Sequence, residues 1–297
     1  MFQLIKKIKI ILSYFKGLLL SLILLLRPLN KLQSRTGTSQ LIVSVTSYGR
    51  RVRKTLKFAV LSMLAQSIRP DRIIIWLDEE HFNSDNIPTS IRRLVNRYGV
   101  EVKFCPDYKS YKKLIPTLSL CPEDLIVTID DDLIYDKRTI EMLYNTHLSN
   151  PNAIVCSQAN IPTFVNGHLR PYNDWVFNVV ETDKQIILPL GGSGTLYPPN
   201  SLFKDVNKSS LFMTLSPCAD DVWFWIMGIM QGTTVKLSSN RHMIMPIDLL
   251  YQLLHKNNNS LMRKNLAEGY NDVQIKAVFS YYGLSTDEMS IKELIKR

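Results

Sequence analysis

Residues 125–132, LIVTIDDD, decide the fold. LIVTI is too short for an ordinary helix and apolar but for Thr128, so it reads as a strand covered on both faces. Three carboxylates follow it without a break. At the mouth of a buried strand they repel one another unless a cation lies among them. Alternate residues of an extended exit point the same way, so Asp130 and Asp132 can converge. Oxygen-only ligands select a hard cation, Mg²⁺ or Mn²⁺, of the kind that bridges substrate phosphates. The plainer alternative is a solvated acidic turn capping the helix that starts near 137.

Working outward, the same type of strand recurs at 41–46 (LIVSVT), 72–78 (RIIIWLD), 100–105 (VEVKFC) and 153–157 (AIVCS). Helical spacing fills the intervals. Leu56, Val60, Leu61 and Leu64 mark a helix over 54–67. Pro88 opens another that ends at Gly99, and 111–120 and 137–149 read as two more. Alternating apolar strands and helices predict an α/β protein with a mostly parallel sheet and helices on both faces. After 158 the rhythm breaks into Pro, Gly, Asn and aromatic residues, and a helix returns at 219–231. Ligands of open parallel sheets bind beyond the carboxyl ends of the strands. The residues there are Thr46-Ser47-Tyr48, Asp78, Pro106-Asp107 and the Asp130–Asp132 triplet.

The 297 residues are 45% apolar and 21% charged, values of a globular chain. Formal charge is +10, but residues 1–35 hold seven cations and no acid, leaving +3 for the rest. The body is therefore no whole-surface nucleic-acid binder. Residues 8–26, IKIILSYFKGLLLSLILLL, reach the length of a membrane span, about 20 residues, only by including Lys9 and Lys16. On a helix Lys9, Lys16 and Arg27 fall on one stripe beside a broad Leu/Ile face, which suits a membrane surface carrying anionic lipid. The expected organisation is a membrane-associating segment over 1–29, a linker over 30–40, and one domain over 41–297. That domain divides into a nucleotide-binding half (41–157) and an acceptor and catalytic half (158–297). Cys105, Cys121, Cys156 and Cys218 lack metal-site spacing and read as reduced thiols.

In order and spacing, LIVSVTSYGRR, SMLAQSIRPDRIIIWLDEE, DLIVTIDDDLIY, GGSGTLYPP and CADDVWFWIMGIMQGTTV resemble a bacterial GT-A glycosyltransferase. The likeness runs from about 41 to 240 and is greatest to family-2-like enzymes of capsule and lipopolysaccharide assembly. It implies a Rossmann-like GT-A fold, a nucleotide-sugar donor and a D-x-D motif. Asp132 is then the metal ligand, and Asp130 contacts the ribose or nucleotide and shares the metal, with Asp131 beside them. Thr46, Ser47 and Tyr48 cradle the nucleotide, and Asp78 matches the base-binding acid. Lys113, ahead of an apolar helix, is placed to meet the diphosphate. Gly192 and Ser193 of the Gly-rich loop lie under the donor sugar. His242 is a candidate third metal ligand.

Asp220-Asp221 opens the helix at 219–231 and occupies the place of the family's Glu-Asp pair. A carboxylate at a helix amino end is stabilised by the dipole and expected to stay ionised. Asp221 is thus the expected base and Asp220 its neighbour, although Asp at 220 departs from the family's Glu. The Q-x-x-R-W motif of processive synthases is absent, so a single transfer is expected. The activity implied is a hexosyl- or N-acetylhexosaminyl-transferase, dependent on Mn²⁺ or Mg²⁺ and inverting. Its acceptor is a glycan or lipid-linked saccharide, at the cytoplasmic face of the cell membrane, with the amino-terminal segment as a peripheral, in-plane anchor or a single span. The rivals are a metal-dependent nucleotidyltransferase and a membrane-tethered binding module without catalysis.

Overall fold

Apolar strands assemble the centre of the protein. The computed structural model describes residues 15–33, 39–238, 245–247, 265 and 268–295. In chain order the strands are β1 (Leu41–Thr46), β2 (Arg72–Asp78), β3 (Glu101–Cys105), β4 (Leu125–Ile129), β5 (Leu133–Ile134), β6 (Ile154–Cys156) and β7 (Ala159–Ile161). They continue with β8 (Phe164–Val165), β9 (His168–Leu169), β10 (Val176–Val179), β11 (Leu188–Pro189), β12 (Thr195–Tyr197), β13 (Val235–Leu237) and β14 (Met245–Pro246). The helices are α1 (15–26), α2 (Gly49–Lys54), α3 (Leu56–Leu64), α4 (Thr89–Tyr98), α5 (Ile115–Leu120) and α6 (Thr139–Ser149). Then come α7 (Ser209–Leu215), α8 (Asp220–Gln231), α9 (Tyr270–Tyr281) and α10 (Glu288–Ile295).

Seven strands form one sheet in the order β13-β6-β12-β4-β1-β2-β3. All neighbours run parallel except β12, which is antiparallel to both β4 and β6. Both faces are covered, as the continuous apolar strands require. One apolar cluster joins the sheet to α1, α3, α4 and α6; a second joins it to α5, α8, α9 and α10. Register places the site: Val45 pairs with Ile129 and Thr46 with Trp76. The chain therefore leaves β1, β2 and β4 at one level, and Ser47, Asp78 and Asp130 share an edge.

Helix limits follow local chemistry. Pro88 stands at the start of α4, and Gly99 ends it in the left-handed region with φ +75°. Between 109 and 120 the expected single helix is a short 3₁₀ turn, Lys109–Lys113, followed by α5 with Pro116 in its first turn. The helix expected over 54–67 is α2 and α3 end to end, broken at Thr55.

Three features of the structure bear on the expected organisation. Strand β12 inserts antiparallel from the second half of the chain, so the two halves share one sheet. Gly194 makes this possible: its φ is +96°, and a Cβ would press on Thr139 Cγ2 at 3.3 Å and Ser157 Oγ at 3.4 Å. Three residues are too few for a periodicity reading. Residues 30–33 are not a free linker either. Leu32 N–H donates to Tyr98 O at 2.8 Å, and Arg69 donates to the carbonyls of Asn30 and Lys31. Finally, no helix among the described residues is long and apolar enough to cross a membrane. Residues 1–14 and 34–38 lie outside the described residues.

Candidate active site

At the carboxyl edge of the sheet the acids gather into two linked groups. The first surrounds Lys113. Its Nζ lies 2.7 Å from Asp130 Oδ1 and 3.3 Å from Asp220 Oδ2. Burial pushes the Lys113 ammonium down, but Asp130, Asp220 and Asp221 outweigh it and hold the group well above its ordinary value. Ser110 Oγ donates to Asp220 Oδ1 at 2.7 Å, and Gly191 N–H donates to Asp221 Oδ1 at 3.0 Å. Thr128 Oγ1 donates to Gly191 O at 3.0 Å, tying the Gly loop to β4. Strand β4, the 3₁₀ turn, the Gly loop and the start of α8 thus converge on one point.

Gly192 is required by space. A Cβ there would overlap Asp130 Oδ2. Tyr135 pins both sides of this approach, since its hydroxyl donates to Gly192 O and accepts from Asp130 N–H at 2.7 Å. Gly192→Ala should drive the Asp130 carboxylate off Lys113. Displacements of about 1 Å in catalytic geometry cost on the order of 10²-fold, and kcat/KM should fall by that order at unchanged Tm. Steady-state kinetics with thermal melts check it; full activity would show that Asp130 is not needed where it stands.

The second group surrounds Arg51, at the start of α2. Its guanidinium lies 3.1 Å from Asp131 Oδ1 and 3.0 Å from Asp132 Oδ2. Ser47 Oγ donates to Asp131 Oδ2. Burial pushes the Asp131 carboxyl up to about 6, against the pull of Arg51. Asp131 is therefore turned into the protein, bracing the end of β1, while Asp130 and Asp132 stand nearer the opening. Burial, and Asp130 with it, also push Asp132 up, with Arg51 opposing.

Asp78 forms a third cluster further along the edge. It accepts from His81 N–H at 3.0 Å, and Lys112 Nζ, which also contacts Asp107, lies 3.9 Å away. Thr46 Oγ1 donates to Trp76 O at 2.9 Å. Tyr48 is 59% exposed with the Arg51 guanidinium over its ring, so it is no core aromatic. Ser193 is buried and its hydroxyl donates to Gln158 Oε1 at 2.8 Å, so its side chain braces the loop. His242 lies outside the described residues.

One electrostatic expectation is reversed. The helix dipole does not hold Asp221 at the ordinary carboxyl value. Burial, then the charges of Asp220 and Asp130, raise its carboxyl to about 7, outweighing Lys113 and the Gly191 N–H. Desolvation is the largest cause and works against the stabilisation expected at a helix amino end. Trp223 and Trp225 are core residues: Trp223 Nε1 donates to Val206 O, and Trp225 packs edge-on to Trp175. Asp272 accepts from Tyr172 N–H at 2.7 Å, an anchor between α9 and the segment around Tyr172.

Sequence reasoning missed Arg51, Tyr135, Ser110 and Gln158. Arg51 had a signal, a cation one helical turn beyond the first strand end. Tyr135 and Gln158 had none, because each meets the Gly loop, 57 and 35 residues away in sequence.

The oxygen donors of Asp130 and Asp132, both only partly buried and here held by Lys113 and Arg51, are of the type a hard cation takes. Among the described residues no three His, Cys, Asp or Glu side chains stand together as a complete ion site. Substrate oxygens and water would have to supply the remaining positions.

No curated protein matches the chain. Among solved structures it is similar to S. aureus TarS residues 1–349, with 14% identity and TM-score 0.45, covering 82% of this chain and 72% of that one. It is also similar to CMP:2-keto-3-deoxy-manno-octonic acid synthetase complexed with CTP, at 11% identity and TM-score 0.42 over 67% and 89% of the two chains. The inositol-1-phosphate CTP transferase of T. maritima matches at 10% identity and TM-score 0.40 over 77% and 98%. The family comparison is decisive: Glycosyl transferase family 2 matches residues 42–207, more than half of the sequence and every strand end that carries the acids. The chain belongs to glycosyl transferase family 2.

Proposed function

We propose that the protein moves one sugar, a hexosyl or N-acetylhexosaminyl group, from a nucleotide-sugar donor to a hydroxyl of a glycan or lipid-linked saccharide. The observation that carries this reading is the Lys113 bridge, which joins Asp130 of the D-x-D run to the Asp220-Asp221 pair beneath the Gly loop. In this reading a group that meets phosphate and a proton acceptor belong to one cluster.

In the proposed reaction Asp221 takes the proton of the acceptor hydroxyl. The acceptor oxygen forms a bond to the anomeric carbon as the carbon–oxygen bond to the diphosphate breaks. The nucleoside diphosphate leaves with that electron pair, and in-line attack inverts the centre. Lys113, and Arg51 with it, supply positive charge beside the departing phosphates. Asp132 and Asp130 would hold Mn²⁺ or Mg²⁺, which offsets diphosphate charge when bound. Thr46, Ser47, Tyr48 and Asp78 would line the nucleotide side. We further propose peripheral attachment to the cytoplasmic face of the cell membrane through the amino-terminal segment, serving acceptors of the capsule or lipopolysaccharide type.

The test is a donor screen over UDP-, GDP- and CMP-sugars with Mn²⁺ or Mg²⁺, scoring the released nucleotide. Nucleoside diphosphate supports the reading. Release of pyrophosphate identifies a nucleotidyltransferase, and absence of both turnover and Mn²⁺-dependent nucleotide binding identifies a binding module.

The raised carboxyl of Asp221 gives a pH signature. Only its ionised form accepts a proton, so kcat/KM should rise with pH through an apparent pKa near 7, and Asp221→Asn should flatten the limb. Stability should move oppositely. Between the ordinary value of 3.8 and about 7 the folded state binds more protons than the unfolded, so stability falls as pH rises across that window. Urea melts of wild type and Asp221→Asn at pH 4, 5.5 and 7.5 check this. Equal slopes in the two proteins would refute the assignment.

A further inference from the structure

We propose that the basic groove between α1, α3 and α4 is a cradle for anionic phospholipid headgroups, lying beside an apolar face of α1 that enters the bilayer surface. The proposal rests on the membrane attachment suggested above, and adds a lipid site within the catalytic domain itself.

The first observation is the orientation of α1. Leu24 is buried and Leu20 partly so, both against the main core cluster. The rest of the helix turns Leu18, Leu19, Leu22, Ile23, Leu25 and Leu26 outward, the last 85% exposed. A helix facing water carries polar residues on its outer side. Here the outer side is more apolar than the inner, and an exposed patch of this kind marks a contact surface. The face is fixed relative to the domain, because the chain leaving α1 is pinned by Leu32 to Tyr98 O and by Arg69 to Asn30 and Lys31.

The second observation lies next to it. A groove of about 480 Å³ is lined by Leu25 of α1, Lys57 and Leu61 of α3, and Arg93, Leu94 and Arg97 of α4. Leu61 and Leu94 are buried; Arg93 and Arg97 are exposed and Lys57 is half-buried. Among the described residues none of the three cations forms a salt bridge. Lys57 and Arg97 rest on the rings of neighbouring Phe58 and Tyr98, at 4.7 and 5.3 Å.

Positive charge is concentrated in the segments that carry this groove. Residues 50–57 and 88–98 together hold eight cations and no acid, Arg51 among them being turned to Asp131 and Asp132. The rest of the chain beyond residue 35 holds twenty-one cations against twenty-six acids. Cations at a rim, leucines below and an outward apolar helix alongside match one ligand class: a phosphate joined to acyl chains. A free anion would use only the rim, and an aliphatic surface only α1. Anionic leaflets attract such side chains and neutral ones do not.

Helix α2 links this face to the chemistry. It carries Arg51 into the acid cluster and exposes Arg53 and Lys54. Docking would therefore hold the catalytic opening within one short helix of the lipid surface, where a lipid-linked acceptor lies.

The experiment is co-sedimentation of the full chain with vesicles of phosphatidylcholine alone or mixed with phosphatidylglycerol. Wild type should prefer the phosphatidylglycerol vesicles. Lys57→Glu/Arg93→Glu/Arg97→Glu should weaken that binding at least about 100-fold, near fivefold for each cation removed, and leave phosphatidylcholine binding unchanged. Leu19→Asp/Leu22→Asp/Ile23→Asp should reduce binding to both. Unaltered melting curves and unaltered turnover of a soluble acceptor confirm folding. If the triple glutamate variant fails to fold, Lys57→Gln/Arg97→Gln should still lose about 25-fold on phosphatidylglycerol vesicles.

Wild-type affinity of the cation variants, with loss only in the α1 variant, overturns the cradle and leaves the membrane attachment standing. Wild-type behaviour of every variant overturns both. Full competition by millimolar inorganic phosphate, at constant ionic strength, would identify a free-anion site and also overturn the proposal.

Discussion

Asp221→Asn is expected to lower kcat by roughly 10²–10⁴-fold with little change in donor affinity, the contribution typical of a general base. The substitution is nearly isosteric. Asn keeps an oxygen for the Gly191 N–H that Asp221 Oδ1 accepts at 3.0 Å, so the Gly loop should stay in place. What disappears is the proton acceptor. Asp220 supplies the contrast. Its carboxylate takes Ser110 Oγ and pairs with Lys113, so Asp220→Asn weakens the hold on the lysine that also serves Asp130. That variant should raise the donor KM more than it lowers kcat. Steady-state kinetics on both, with donor binding measured by calorimetry, separates the roles. A larger fall in kcat for Asp220→Asn would reverse them.

Asp132→Ala is expected to abolish divalent-dependent turnover while the protein stays folded. Losing a ligand to a catalytic ion removes several kcal/mol of transition-state stabilisation, a rate loss on the order of 10³-fold. The fold should tolerate it. Asp132 sits at the opening, its backbone carbonyl still accepts Ile247 N–H, and Arg51 keeps Asp131 as partner. The measurements are turnover against Mn²⁺ concentration, Mn²⁺-dependent nucleotide binding, and the melting temperature. Near-normal turnover with an unchanged Mn²⁺ dependence would dismiss Asp132 as a ligand and leave it as the partner of Arg51 alone.

Much of this site was legible because strands buried on two faces leave an unmistakable mark. LIVSVT, RIIIWLD and LIVTI are predominantly apolar, and polar residues gather where each strand ends. Since ligand sites lie at those ends, Ser47, Asp78 and Asp130 could be singled out before any contact was known. Asp220-Asp221 stood out as a polar pair heading an apolar helix, and the Gly run through its composition.

Roles within the cluster were another matter. The triplet offers no sign that Asp131 turns inward to Ser47, 84 residues away, or that Arg51 holds both Asp131 and Asp132. Gly191 meets Asp221 across 30 residues, and the pKa of that acid depends on how deeply the fold encloses it. A dipole argument made on one helix misses the enclosure.

The sequence by itself determined the α/β class, the strand positions, the polar strand ends and the basic, lipophilic character of the amino terminus. These depend on residue type and local period, which are properties of short segments. Only the tertiary structure decided the antiparallel entry of β12, the inward turn of Asp131, the raised carboxyl of Asp221 and the face by which α1 meets the domain. Each is set by desolvation and contact between segments remote in the chain. Those energies exist only once the segments are packed together.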